Sequence, residues 1–165
     1  MSRVVSNLLS SISTQLKSKH AKISPTYSYN LFNGAQKKDD KAYNRFHVGL
    51  CVNPHQDKRD KGGEDAATVS ESFIALADGV GGWSDSGVDP AKYSRSLCKN
   101  IQGLIICDKN ERYMCNPKLL CQDAANMTKE TGSSTCVIAS MDKEEPVIYT
   151  SNLGDSGYLL LRKSG

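Results

Sequence analysis

Several things are scarce in this sequence, and each scarcity excludes something. None of the six cysteines forms a CxxC pair, which removes the spacing of a zinc ribbon. No secretory leader is legible, and Cys51 and Cys136 sit inside apolar patterns, so the thiols read as buried and reduced rather than as a disulfide framework. No apolar stretch approaches the length of a membrane-spanning helix. The three histidines, His20, His47 and His55, have no ligand spacing and no serine or cysteine beside them in a nucleophile motif. Repeats and low-complexity tracts are also missing. The most telling absence is acid in residues 1–38, which hold six basic residues and no aspartate or glutamate. From Asp39 onward the remaining fifteen lysines and arginines face all eighteen acids, a body of net −3 beneath an overall +3. A nucleic-acid-binding domain carries its positive charge on the folded part, so none is expected here.

What is present begins with that basic leader. Val4, Val5, Leu8, Leu9, Ile12 and Leu16 recur at helical spacing among six serines. An amphipathic, serine-rich, acid-free start is the pattern of a mitochondrial transit peptide, although Arg3 is its only arginine; an ordinary N-terminal helix or tail is the plainer alternative. Residues 1–44 are therefore expected to be transit peptide and linker, with the folded part over 45–165. Residues 46–52 alternate as a half-buried strand does, and 53–63 read as a loop. Residues 66–70 and 72–77 make a hairpin turning at Glu71. Asp89-Pro90 and Asn116-Pro117 each give a cap followed by a proline at the first helical position, and each introduces an apolar helical stripe. Strands are expected at 134–140, 146–153 and 158–162. Strands, two helices, then strands make an α+β protein with helices packed on antiparallel strands.

The chain is organised around Ala77-Asp78-Gly79-Val80-Gly81-Gly82-Trp83, where the apolar run 73–77 delivers one acid into a glycine-rich turn. A carboxylate at a strand end can offer an oxygen to each of two hard cations such as Mg²⁺ or Mn²⁺. The Gly79 carbonyl can approach a metal too, and Gly81-Gly82 can take dihedrals closed to other residues. A metal pair lowers the pKa of a bridging water and aims it at phosphorus. Alone, an Asp-Gly pair is as readily a solvated tight turn. Glu64-Asp65 adds to the case, because a hairpin brings Glu64 toward Asp78, and two carboxylates together repel unless a cation sits between them. Asp155, in Asn152-Leu153-Gly154-Asp155-Ser156-Gly157, is a third acid at a strand end and otherwise a hairpin turn. Gly132-Ser133-Ser134-Thr135 lacks the lysine of a P-loop and reads as the polar entry to a strand. Trp83 reads as a packing residue that pins the glycine loop.

Taken together and in order, Gly62-Gly63-Glu64-Asp65-Ala66, the Asp78 loop, Gly132-Ser133-Ser134-Thr135 and the Asp155 turn resemble the PP2C-type metal-dependent serine/threonine protein phosphatases. The resemblance is to the PTC7-like mitochondrial branch, through the GVGGW loop followed by Gly87-Val88-Asp89-Pro90 and Tyr93-Ser94, and it covers roughly residues 45–162. It implies a β-sandwich flanked by helices with a two-metal centre at one end. It further implies Asp78 as the bridging ligand, Gly79 as a carbonyl ligand, Glu64 as the second metal's carboxylate, Asp65 as the residue that orients metal-bound water, and Asp155 near a third, weaker metal. The implied reaction is hydrolysis of phosphoserine or phosphothreonine in proteins by metal-activated water, in the mitochondrial matrix, without a phosphoenzyme.

Two departures from the family pattern accompany the resemblance. Where many members place a phosphate-binding arginine, this chain has Asp60 between Arg59 and Lys61, and Lys61 is the expected substitute. The family also uses two later aspartates, whereas no acid follows Asp155. The expectation is thus a sandwich incomplete at the C-terminus, the first part of a phosphatase domain with weak or no turnover. The alternative is a non-catalytic pseudophosphatase or interaction fragment. A second alternative, an unrelated metal- or phosphate-binding domain, would set Glu64 and Asp78 on opposite faces.

Overall fold

The computed structural model describes residues 44–107 and 112–162. The expected transit peptide and nearly all of the linker lie outside them. Four strands form one antiparallel sheet in sequential order: β1 (Asp65–Val69), β2 (Phe73–Asp78), β3 (Cys136–Met141) and β4 (Ile148–Leu153). Between β2 and β3 come two helices, α1 (Pro90–Cys107) and α2 (Pro117–Met127). The expected α+β layering is present.

The helices start where local chemistry starts them. The Asp89 carboxylate accepts a hydrogen bond from the Ala91 N–H at 3.0 Å. The Asn116 side chain likewise accepts from the Leu119 N–H at 3.1 Å, and a proline occupies the first helical position in both cases. Leu97 and Ile101 of α1, with Leu120 and Ala124 of α2, are buried against Phe73, Ala75 and Ala77 of β2 and Cys136 and Ile138 of β3. That single layer of contact is the core, and each fully buried Ile or Leu in it contributes about 2 kcal/mol. Alternation along β2 turns Ile74, Leu76 and Asp78 to the opposite face of the sheet.

Two expected strands do not form. Residues 46–52 and 158–162 lie outside any ladder, with Val48, Leu50, Val52, Leu159, Leu160 and Leu161 all exposed. Alternating or clustered apolar residues make a chain fit for a sheet but do not provide the neighbour whose N–H and C=O groups complete one. The 46–52 segment is tethered at its start, where the Phe46 N–H donates to the Glu71 carbonyl at 2.7 Å. Residues 53–63, read as plain loop, contain a short 3₁₀ turn over Gln56–Lys61. Cys98, Cys121 and Cys136 are buried free thiols as expected, whereas Cys107 and Cys115 are exposed, as is Cys51, whose expected strand is absent.

Candidate metal centre

The Ser70 N–H donates to the Phe73 carbonyl at 2.8 Å, which closes the β1–β2 hairpin over Glu71 and Ser72 and sets the register. It places Asp65 opposite Asp78, Ala66 opposite Ala77 and Val69 opposite Ile74. The acid facing Asp78 across the hairpin is thus Asp65, where the sequence suggested Glu64. Directly paired side chains on one face of an antiparallel ladder are close neighbours, and the two carboxyl groups hydrogen-bond to each other. Burial, then the charge of Asp78 and this hydrogen bond, push the Asp65 carboxyl up to about 6; Glu64 adds to the shift and Lys58 opposes it. Without a cation, Asp65 thus holds its proton to a higher pH than an ordinary aspartate does.

Glu64 stands beside this pair, at the strand's entrance. Its backbone carbonyl accepts from the Gly79 N–H at 3.1 Å and from the Ser94 hydroxyl at 2.6 Å. Its side chain, only 15% exposed, makes an ion pair with Lys58 at 2.5 Å. The 3₁₀ turn supplies that lysine, and sequence reasoning missed it. The available signal was a basic residue six positions before Glu64, inside a polar stretch that gave no sign of folding back.

Gly79 is required by space. A Cβ there would lie 2.5 Å from the Pro90 carbonyl oxygen, so the start of α1 rests directly on the loop that follows Asp78. At Gly81 the expected dihedral requirement is not observed, since its φ is not positive. A side chain there would instead meet the Glu64 carboxylate and the Lys58 ammonium, each 3.2 Å from the Cβ position. The loop is pinned from β3's side: the Trp83 indole N–H donates to the Ser133 hydroxyl at 2.8 Å, and the Val80 N–H donates to the Ser133 carbonyl at 3.0 Å.

A cavity of about 390 Å³ opens here. Its lining includes Glu64, Asp65 and Asp78 together with Lys58, Arg59 and His55. The structure therefore brings Glu64, Asp65 and Asp78 to one opening, with Gly79 adjoining. Lys61 and Asp155 do not line it; both are exposed, and the Lys61 carbonyl accepts from Arg95 at 3.3 Å. Among the described residues, no three carboxylate, imidazole or thiolate groups converge as ligands of one ion. The reason lies in the contacts above: Glu64 is turned to Lys58, while Asp65 and Asp78 bond to each other. The donors are nonetheless all hard oxygens, three carboxylates and a backbone carbonyl, the chemistry that Mg²⁺ and Mn²⁺ select.

No protein-family profile matches the chain. Individual proteins do. It is similar to Probable protein phosphatase 2C 26 of Arabidopsis thaliana, 40% identical over 119 residues that make up 70% of this chain and 39% of that one. It is 37% identical over 110 residues to the Protein phosphatase PTC7 homolog of Homo sapiens, covering 61% of this chain and 35% of the relative. Among solved structures it resembles that of the photosystem II phosphatase PBCP, with a TM-score of 0.50 and 37% identity over 54% of this chain and 35% of that chain. These similarities make the chain a member of the PP2C type of protein phosphatase. Within that type it is PTC7-like. The chain spans well under half the length of these relatives, 39% of the Arabidopsis protein and 35% of the human one.

Proposed function

We propose that this chain carries part of the catalytic centre of a metal-dependent phosphatase acting on phosphoserine and phosphothreonine in proteins. The observation that supports it most is the β1–β2 register, which sets Asp65 against Asp78 at the opening of a cavity also lined by Glu64 and by two basic side chains. In this reading Asp78 and Glu64, with the Gly79 carbonyl, hold Mg²⁺ or Mn²⁺, two ions in the complete family site. The bound metal supplies an acidified water and offsets phosphate charge. Asp65, hydrogen-bonded to Asp78, orients that water. Lys58 and Arg59 line the cavity and are the better placed cations for the phosphate, in preference to Lys61. Lys58 pairs with the Glu64 carboxylate here, and it would be free to serve the phosphate if Glu64 were engaged by a metal instead. Asp155 is kept as a peripheral acid, outside this set.

The test is hydrolysis of a phosphothreonine peptide with Mn²⁺ and with EDTA. Any turnover by this chain is expected to be weak and to need the metal, and Asp78→Asn is expected to abolish it. Turnover that survives EDTA, or that Asp78→Asn leaves intact, rules the assignment out. Metal binding without turnover would favour the non-catalytic alternative.

The organisation we propose is a leader and linker over 1–44 ahead of a phosphatase portion over 45–165, with the mitochondrial matrix as destination. The composition of residues 1–38 and the PTC7-like relationship support it.

A further inference from the structure

Thr135 stands directly before β3 and holds Asp78 by both of its backbone polar groups. The Thr135 N–H donates to the Asp78 carbonyl at 2.9 Å, and the Thr135 Oγ1 accepts from the Asp78 N–H at 3.1 Å. An ordinary ladder would use the Thr135 carbonyl for the second bond; here a side chain does it. The same Oγ1 lies 2.7 Å from the hydroxyl of Ser156, and both residues are buried, 8% and 5% exposed. Ser156 belongs to the turn after β4, which also carries Asp155. That turn is closed onto Thr135 by Gly154, whose φ of +92° suits glycine and where a Cβ would lie 2.9 Å from the Thr135 Cγ2. Two hydroxyls buried on each other, one of them already accepting an amide, form a polar pair that an apolar packing role does not call for.

We propose that Thr135 and Ser156 are positioning residues for Asp78: a buried two-hydroxyl relay through which the 154–157 turn fixes the Asp78 peptide, and with it the carboxylate, relative to Asp65. The proposal rests on the reading of Asp78 as a metal ligand. It gives the 154–157 turn a part in the site even though Asp155 itself stands outside the cavity lining. The hydrogen bonds needed are complete without any further group, since a hydroxyl accepts twice and donates once.

The experiment combines amide hydrogen exchange at Asp78 with Mn²⁺ titration by calorimetry, on the whole chain. Thr135→Val removes the hydroxyl at nearly constant shape and Thr135→Ser retains it. Ser156→Ala removes the second hydroxyl, and Asp78→Asn is the metal control. Expected are Asp78 amide exchange about tenfold faster in Thr135→Val and measurably faster in Ser156→Ala, with the Ala75 amide of β2 unchanged. Expected too is Mn²⁺ affinity weakened about tenfold or more in both, the usual cost of losing an outer-shell hydrogen bond, with Thr135→Ser restoring both readouts. Unchanged Asp78 exchange and affinity in Ser156→Ala, beside lost binding in Asp78→Asn, overturns the relay. So does a Thr135→Ser protein that behaves like Thr135→Val, because packing of the methyl group is then what matters. If wild-type binds no Mn²⁺, or Asp78→Asn binds as wild-type does, the metal reading falls, and the Asp78 amide exchange alone decides the relay.

Discussion

Asp65 is the residue in which the cost of the site is concentrated. A carboxyl whose folded-state pKa lies at about 6, above its ordinary 3.8, binds a proton in the folded protein that the unfolded chain has already released between those values. Its contribution to stability is therefore fully present below about pH 4 and is lost as the pH rises through about 6. In EDTA, the Tm is expected to fall across that interval, and Asp65→Asn should flatten the fall. A Tm that instead rises through the interval in wild-type but not in Asp65→Asn would contradict this. Mg²⁺ should restore the loss at neutral pH, because a cation between two carboxylates removes the repulsion that holds the proton. The sequence announced both aspartates but could not say that they face each other. Which acid stands opposite Asp78 depends on the number of residues in the turn after Val69, and moving the register by one would turn the other acid toward it. Lys58 was hidden for a related reason: its partnership with Glu64 exists only because residues 56–61 wind into a 3₁₀ turn.

Among the elements, those with locally encoded ends were the legible ones. Asp89-Pro90 and Asn116-Pro117 carry their capping chemistry within three residues, and both helices begin where that chemistry places them. Asn116→Ala is expected to cost about 1 kcal/mol in urea denaturation, and Asn116→Asp far less, since the acceptor oxygen is retained. An equal loss from both would show that the cap is not the source of the stability. The β1–β2 hairpin was legible too, because Glu71 separates two apolar stretches of matching length. The segments 46–52 and 158–162 were not, since a strand's existence is decided by its neighbour and the neighbour is written nowhere in its own residues. Asp142 shows how local a turn can be: its carboxylate accepts from the Glu144 and Glu145 N–H groups at 2.9 Å each, and those bonds hold it below the usual carboxylate range.

At the scale of the whole molecule, the chain divides by charge. All the acid lies from Asp39 onward, and the leader is basic and serine-rich. A reporter protein fused behind residues 1–44 is expected to enter mitochondria in a manner that collapses with the membrane potential, and replacing Leu8, Leu9 and Ile12 with aspartate should abolish entry. A reporter that stays diffuse with the native leader would reject the assignment. The folded part has its core on one face of one sheet, where two helices pack, and its candidate chemistry at the end of that sheet where β1 begins and β2 stops. The loop leaving β2 holds Trp83, the only tryptophan in the sequence, tied through its indole N–H to Ser133 beside the Thr135 clamp. The sequence thus has a single indole, and it stands on the loop that follows Asp78. Emission excited at the red edge of the indole band, where the seven tyrosines absorb little, will report that loop alone, so cation uptake and loop opening can be followed in the unlabelled protein.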